Sequence, residues 1–357
     1  MLNVYRLDSE EKSKDYEGLL SRFEEREPYF SSRYMNIFSG GFENLIYFLF
    51  ESDETGATIL MPGYLKPIVI GGERTSYFDF ITPYGYTGPL FSPNISVSDI
   101  MEFWKCVDQW YVDNNVVTEF VRFNLLGNEA HYSGNVFPTM LNIKGKILDE
   151  ENQWRDFDYK VRKNVNKAKR EGLTSRIYFR EIKDEEILEF HRIYIQTMER
   201  TNANASFSYS FEQFKTFITQ NNNVAICTVY FELTPISSEL LLISKDSIFS
   251  FLGGTNEEYF YKRPNDFLKI EALNWARNNE KKYYVLGGGY GFEDGIFKYK
   301  KSFFPNDVVN YFTGRKIVNN DTYNQLVEKA NNFRIANGLE KLETNDTSFF
   351  PLYNKLN

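Results

Sequence analysis

Cysteine and histidine are scarce in this sequence, with two of each among 357 residues. Cys106 and Cys227 lie far apart and form no CxxC pair, so neither a disulfide framework nor a zinc knuckle is expected. Two isolated thiols indicate a reducing compartment, and no metal site is predicted. His131 and His191 are the only histidines, and each is more often structural than catalytic at such positions.

Long apolar runs are missing as well. The stretch from Leu45 to Phe50, LIYFLF, is far too short to cross a membrane and is typical of a buried strand. The first residues, MLNVYRLDSEEKSKDY, lack the apolar core of a signal peptide. The net charge is −8, which argues against indiscriminate coating of nucleic acid. A cytoplasmic protein without a transmembrane segment is therefore predicted.

The composition indicates an ordinary folded protein that is rich in aromatic residues. Hydrophobic residues make up 42% and charged residues 25%, which excludes general disorder. At 357 residues the chain is too long for one ordinary core, so two domains are expected. The 33 Phe and 25 Tyr would suit large buried sheets or a cleft lined with rings.

The most informative stretch is YYVLGGGYGFEDGIFKYKKSFFP, residues 283–305. An apolar segment typical of a strand leads into a glycine cluster, where another backbone or a ligand can come close. A short segment then places Lys298, Lys300 and Lys301 among aromatic residues. Lysines in such surroundings can be partly desolvated and then act strongly on nearby negative charge. A buried strand, a turn and an amphipathic exit explain the same residues equally well.

The first half of the chain alternates sheet and helix. A helix is predicted over residues 8–27, and NLIYFLFE, TGATILMPGYLKPIVI and SYFDFITP are predicted strands. The loop from Tyr84 to Pro89 carries Tyr84 and Tyr86, which offer rings and hydroxyls to a ligand, although a plain tight loop explains them too. Apolar spacing predicts a helix from Val97 to Asn114, followed by strands at residues 116–123 and 141–148.

The second half repeats this alternation more clearly. A basic helix is predicted at residues 157–172, and its cations are equally consistent with a phosphate contact and with a solvated linker. A strand, TSRIYFREI, and helices at 184–200 and 210–220 follow, the second capped by Ser210. Three antiparallel strands come next, NVAICTVYFEL, SSELLLISK and SIFSFLGGT, and then a helix opened by Arg263 and Pro264.

In this order, the motifs resemble the FemABX-like branch of the GNAT acyltransferase superfamily. The residues that carry the resemblance are FDFITPYGYTGPL, DYKVRKNVNKAKREGL, FHRIYIQTMERTNA, FLGGTNEEYFYKRPNDFLKIEALNWA, YYVLGGGYGFEDGIFKYKKSF and FFPLY. The resemblance implies an α/β (α+β) fold with two GNAT-like domains, each a mixed, mostly antiparallel sheet flanked by helices, facing across a cleft. Predicted domains are residues 1–155 and 156–312, with residues 313–357 returning toward the first.

The resemblance also implies an activity, the transfer of an acyl or aminoacyl group to an amino group of a bacterial cell-wall or surface-glycan precursor, such as one of peptidoglycan. Family members use a lysine that matches Lys300, where a fixed cation would stabilise the oxyanion that forms as the amine attacks. Lys298 and Lys301 would lower its proton affinity. Asp294 is the first candidate for the base, with Glu293 and Asp79 as further candidates.

Other predicted site residues divide into two groups. Substrate-binding candidates are Tyr84, Tyr86, Arg200, Tyr290 and Lys298, and candidates for binding the acyl donor are Lys163, Lys167, Arg263 and Asn265. An arginine that holds a substrate phosphate in bridge-forming relatives is missing from Ser206 to Phe214, so Arg200 or Arg263 would have to substitute. A nucleotide-linked acceptor is therefore less expected.

The donor and the acceptor stay open. No cofactor is expected to bind tightly, and either acyl-CoA or aminoacyl-tRNA fits as co-substrate, because the acidic net charge favours the first and the basic helix the second. Small-molecule or lipid-linked amino-glycans, tRNA and the inner membrane face are the expected partners. The alternative is a non-catalytic GNAT-like module that binds glycan or peptide. A dinucleotide-binding oxidoreductase is excluded because Gly287, Gly289 and Gly291 lack the spacing and the following helix of that fingerprint.

Overall fold

The structure is a computed structural model, which describes residues 1–24, 26–343 and 348–356. Residues 344–347 and 357 of the predicted C-terminal segment, and residue 25 of the first predicted helix, lie outside this part. By internal contacts the chain divides into two compact units, Met1–Thr139 with Tyr311–Asn357, and Met140–Asn310. The predicted domain boundaries differ in position from this division and stay a prediction.

Helices and strands alternate along both units. The helices are α1 (Glu10–Leu20), α2 (Ser32–Phe38), α3 (Val97–Asp113), α4 (Glu150–Asp156), α5 (Tyr159–Arg170), α6 (Asp184–Arg200), α7 (Phe211–Thr219), α8 (Pro264–Asn278), α9 (Gly295–Lys301) and α10 (Asn320–Ala336). The strands are β1 (Leu2–Arg6), β2 (Leu45–Glu51), β3 (Thr58–Ile70), β4 (Glu73–Ile81), β5 (Leu90–Phe91), β6 (Val116–Arg122), β7 (Asn135–Lys146), β8 (Leu173–Phe179), β9 (Val224–Phe231), β10 (Thr234–Ile243), β11 (Ser247–Thr255), β12 (Tyr283–Gly287) and β13 (Val308–Ile317).

The sheet of the first unit runs in the order β1-β2-β3-β4-β6-β13. Neighbouring strands are antiparallel except β4 and β6, which are parallel and joined through α3. On one face, Phe103, Trp104 and Val107 of α3 pack into the core, as their helical spacing predicts. The other face is covered at one end by α10, through Tyr323 and Val327.

The second unit repeats this pattern of pairing. Its strand order is β8-β9-β10-β11-β12-β7, again antiparallel except for one parallel pair, β11 and β12, which α8 connects. Both units are therefore mixed, mostly antiparallel sheets flanked by helices, with a helical crossover at the parallel pair. The predicted fold class is confirmed.

Local sequence signals explain where the helices of the second unit begin. Ser210 caps α7, and Gln213 completes a capping box, as predicted. In α5, Val161, Val165 and Ala168 form the buried stripe, and the basic residues take the remaining faces. Two predicted bounds were wrong: α1 ends at Leu20 rather than near Glu27, and β7 begins at Asn135 rather than at Leu141.

Within the described ranges, no helix combines the length and the apolar character needed to cross a bilayer.

Candidate active site

Lys300 lies on α9, a short helix that the sequence did not predict. The ammonium is partly buried, and its Nζ donates a hydrogen bond to the backbone carbonyl of Gly288 at 2.6 Å. Gly288 directly follows β12, where the apolar residues Tyr284 to Leu286 are buried in the sheet. The lysine is therefore fixed against the end of β12, a strand paired on both edges, instead of extending into solvent.

That strand end lies where two parallel strands stop pairing. The β11–β12 ladder ends at the pair Phe249 and Val285, although β11 continues to Thr255. Beyond this point, backbone groups on the facing edges have no ladder partner in the other strand, so they can bind a ligand or a neighbouring side chain. The Gly288 carbonyl that receives Lys300 follows the end of β12.

The glycine cluster is required by close packing. A Cβ on Gly289 would collide with the carboxylate of Asp294, and one on Gly288 would lie 2.8 Å from the carbonyl oxygen of Leu141. Either clash would displace the loop that leads into α9. The predicted close approach of backbone at this cluster is thus a property of the fold itself, independent of any ligand.

Asp294 is the N-cap of α9. Its carboxylate accepts hydrogen bonds from the backbone N–H groups of Phe297 at 2.7 Å, Tyr290 at 2.6 Å and Gly291 at 3.2 Å. These bonds favour the ionised form, led by the one from Phe297, and lower the pKa of Asp294. A carboxylate held in this way is a weak base, so its contacts support a positioning role for α9 and not proton abstraction.

Burial lowers the pKa of Lys300 to about 8, and the positive charge of Lys269 acts in the same direction. From the sequence we expected Lys298 and Lys301 to lower this pKa. In the structure the leading causes are the burial of Lys300 and the charge of Lys269 on α8. Glu239 and Asp294 oppose the shift. At pH 7, one unit below this pKa, about 90% of the Lys300 side chains are still protonated.

A buried ion pair behind the lysine was missed at the sequence level. Lys269 of α8 donates to Glu239 of β10 and, at 2.8 Å, to Ser250, while Tyr284 donates to the second carboxylate oxygen at 3.0 Å. Both charges are largely withdrawn from solvent, at 9% and 8% side-chain exposure. One acidic residue within the apolar run of β10 was the available signal, because burying a lone carboxylate is costly unless a partner is present.

The residues predicted to bind the acyl donor lie on α5 and at the start of α8. The two helices are joined by a hydrogen bond of 3.0 Å from Asn164 to Asp266. Lys163 is exposed and Lys167 half-buried on α5, while Arg263 and Asn265 are exposed at the α8 N-terminus. The structure therefore places these four residues on two helices of the second unit that contact each other.

The remaining substrate-binding candidates are more scattered. Tyr290 is 87% exposed, and Lys298 is exposed on α9. Arg200 ends α6, where its guanidinium carbon lies 5.0 Å from the centre of the Phe260 ring. These three belong to the second unit.

Tyr84 and Tyr86 belong to the first unit. Tyr84 is 54% exposed, and Tyr86 is half-buried with its ring against Tyr311. The Tyr311 hydroxyl donates to the carbonyl of Gly85 at 3.1 Å, which ties the loop to β13.

The histidines and Asp79 lie away from the Lys300 segment in sequence and have other partners. His191 contacts the carbonyl of Tyr209 at 3.1 Å through Nε2, while His131 is exposed in a left-handed backbone conformation. Asp79, in the first unit, accepts hydrogen bonds from Thr118, Tyr353 and Asn354.

Comparison with known proteins agrees with this architecture. Residues 155–301 match the family model of the acetyltransferase (GNAT) domain. None of the curated proteins matches the sequence. FemX has a similar solved structure, with a TM-score of 0.61 at 10% identity, covering 90% of this chain and 99% of FemX.

Two further solved structures have the same fold. L-PGS from Bacillus licheniformis gives a TM-score of 0.56 at 12% identity, covering 87% of this chain and 93% of that one. The domain described as the C-terminal domain of a lysylphosphatidylglycerol synthetase from Agrobacterium fabrum gives 0.57 at 10% identity, with 90% and 96% covered. Residues 155–301 thus match the acetyltransferase (GNAT) domain, and the chain as a whole has a fold similar to that of FemX.

Proposed function

We propose that the protein is an N-acyltransferase that joins an acyl or aminoacyl group to an amino group of a cell-wall or surface-glycan precursor. The observation that carries this proposal is the partly buried Lys300 ammonium, fixed on the Gly288 carbonyl at the end of β12. The match of residues 155–301 to an acetyltransferase domain supports the reaction class. The glycan acceptor rests on the resemblance to the FemABX-like branch.

Lys300 acts on the carbonyl of the donor. The amine nitrogen of the acceptor attacks the carbonyl carbon of a thioester or an aminoacyl ester, and negative charge develops on the carbonyl oxygen. The Lys300 ammonium stabilises that oxyanion, more strongly because burial reduces screening by water. The intermediate then expels the thiolate or the ribose alkoxide, which takes up a proton, while the attacking nitrogen loses one, and an amide results.

Asp294 and the glycines position this cation. The carboxylate orients the first turn of α9, and the absence of a side chain at Gly289 makes room for it. Lys163, Lys167, Arg263 and the start of α8 would hold the phosphates of the donor, because exposed cations beside a helix N-terminus favour anions. Both acyl-CoA and aminoacyl-tRNA carry such phosphates.

The test is a transfer assay with separate donor arms. Purified protein is given acyl-CoA or aminoacyl-tRNA together with an amino-sugar acceptor, and amide formation is followed by mass spectrometry. Lys300→Met should reduce turnover by about 100-fold or more, the typical loss when one oxyanion contact is removed. Lys215→Met removes an exposed lysine paired with Asp184 and is the matched control.

The outcomes separate the two candidate functions. Turnover by the wild type and by Lys215→Met, but not by Lys300→Met, supports the transferase. A wild type that binds acceptor and forms no amide with either donor would instead support a non-catalytic binding module. Turnover that Lys300→Met retains in full would refute the role given to this lysine.

A further inference from the structure

A second cluster of cations lies on the sheet of the first unit, and neither the proposed reaction nor the resemblance accounts for it. Lys66 is on β3, Arg122 on β6 and Arg315 on β13, and these strands are far apart in sequence. Pairing register places all three side chains on the same face of the sheet. Lys66 is opposite Asp79, which is opposite Thr118 in the next strand.

The same register places the two arginines on this face. Phe120 of β6 is opposite Arg315 of β13, and side chains two residues apart along a strand point to the same side. Thr118, Phe120 and Arg122 therefore share the face that carries Lys66. The hydrogen bond of 2.6 Å from Thr118 to Asp79 confirms that these strands present one common surface.

Aromatic rings hold each cation. The Lys66 Nζ is 5.8 Å from the centre of the Tyr64 ring. The Arg122 guanidinium carbon lies 5.0 Å from Phe120 and 5.9 Å from the exposed Tyr84. The corresponding distance for Arg315 is 4.8 Å to Phe137. Rings stabilise and orient a cation without neutralising its charge.

The negative charge that faces Lys66 across the strands is already engaged. It belongs to Asp79, whose carboxylate accepts hydrogen bonds from Thr118, Tyr353 and Asn354. Among the residues that the structure describes, no acid forms an ion pair within 4.0 Å of Lys66 or Arg122. Burial and the charge of Arg122 both lower the pKa of Lys66, so the two cations repel each other.

Such an arrangement is unfavourable for the free protein. Lys66 and Arg122 share this sheet face with a single carboxylate, that of Asp79. Like charges brought together in this way cost free energy that a bound anion would recover. The planar guanidinium can donate two parallel hydrogen bonds to the oxygens of a phosphate. In Arg122, Nη1 donates a hydrogen bond of 2.8 Å to the carbonyl of Thr82.

We propose that Lys66 and Arg122 form a binding site for a phosphate-type dianion on the sheet face of the first unit. The exposed ring of Tyr84 at its edge is placed to contact the group that carries the phosphate. The site is separate in sequence from Lys300 and from the donor candidates on α5, so its existence does not depend on the proposed reaction.

Binding of small phosphates tests this directly. Inorganic phosphate, pyrophosphate and phenyl phosphate are titrated into the full chain and followed by calorimetry, with benzoate as a carboxylate of similar shape. Besides any binding at the donor phosphate site proposed on α5 and α8, we expect one further saturable phosphate site per chain. Its affinity should fall with salt and should be higher for phenyl phosphate if Tyr84 contacts the ring. Equal binding of benzoate would show that the site accepts any anion and would overturn the phosphate assignment.

Variants locate the site. The double variant Lys66→Met/Arg122→Gln should weaken binding by about tenfold or more, since charge-assisted contacts are lost. Lys66→Arg keeps the charge and should bind as the wild type does, which guards against a folding defect in the double variant. Lys329→Met, which removes an exposed lysine of the same unit paired with Glu73, is the control.

Two results would overturn the proposal: no saturable binding by the wild type, or binding by the double variant equal to that of the Lys329→Met control. Lys300→Met should leave phosphate binding unchanged. A protein that binds phosphate but transfers no acyl group would therefore contradict the proposed function and not this site.

Discussion

Replacing Lys300 by methionine should make the folded protein more stable near neutral pH, because the native lysine is held where its charge is unfavourable. Its pKa falls from the ordinary value of 10.5 to about 8. Each unit of pKa shift corresponds to about 1.4 kcal/mol. The free energy of unfolding is therefore roughly 3 kcal/mol lower below pH 8 than it is above pH 10.5. Losing the hydrogen bond to Gly288 would offset about 1 kcal/mol of the gain.

The sign of the pH dependence follows from the same shift. Between pH 8 and 10.5 the unfolded chain binds more protons at this lysine than the folded chain does, so this contribution to stability rises with pH. Lys300→Met lacks the contribution. The stability advantage of the variant should therefore shrink by about 2 kcal/mol between pH 7.5 and 10.

The measurement is chemical denaturation of the wild type, Lys300→Met and Lys215→Met at several pH values in this range. The pKa of Lys215 is raised by its pairing with Asp184, so the stabilising contribution of that pair is present at neutral pH and is lost only above the ordinary lysine range. The difference between wild type and Lys215→Met should stay flat. A difference for Lys300→Met that is equally flat would show that Lys300 is solvated and would refute the reasoning.

Further predictions concern the supports of the site. Gly289→Ala should displace the Asp294 cap and reduce the rate of acyl transfer, although Lys300 itself is unchanged. Turnover measurements check the loss of activity, and circular dichroism checks that the variant is folded. Lys269→Met should destabilise the protein by about 3 to 5 kcal/mol because it leaves Glu239 buried and unpaired. The double variant Lys269→Met/Glu239→Gln should be destabilised much less. Denaturation curves measure both, and equal losses of stability would contradict the pairing. Tyr353→Phe should cost about 1.5 to 3 kcal/mol in denaturation, since its hydroxyl donates to a buried carboxylate; an unchanged midpoint would contradict that contact.

Much of the fold could be read from local sequence patterns. The bounds of α6 agree with those predicted from the spacing of its apolar residues, and Ser210 caps α7 as expected. The order of β9, β10 and β11 was also predicted correctly. These elements have a strong local period or a cap, so their structure depends little on the rest of the chain.

Elements that depend on distant partners were missed. β13 pairs with β6, far away in sequence, and its residues, VVNYFTGRKI, show no clean alternation. The helix α9 has only seven residues, too few for an apolar period, and begins after glycines that favour a loop. Its cap, Asp294, was instead interpreted as a base, because the sequence shows a carboxylate but not the three N–H groups from which it accepts hydrogen bonds.

The site residues were found only in part for the same reason. Resemblance pointed to Lys300, but the cause of its lowered pKa lies in burial and in Lys269 on another helix, which sequence spacing does not reveal. The cations of the first unit were overlooked because Lys66 and Arg122 come to share one sheet face only through strand register. Contacts across a sheet are set by pairing, and a single sequence does not encode that pairing locally.

The central claim is that the Lys300 ammonium stabilises the oxyanion during acyl transfer, and single-turnover amide formation tests it most directly. With donor and acceptor saturating, the wild type should form amide at least about 100-fold faster than Lys300→Met, while the variant retains its affinity for both substrates. Equal single-turnover rates for the two proteins would contradict the claim.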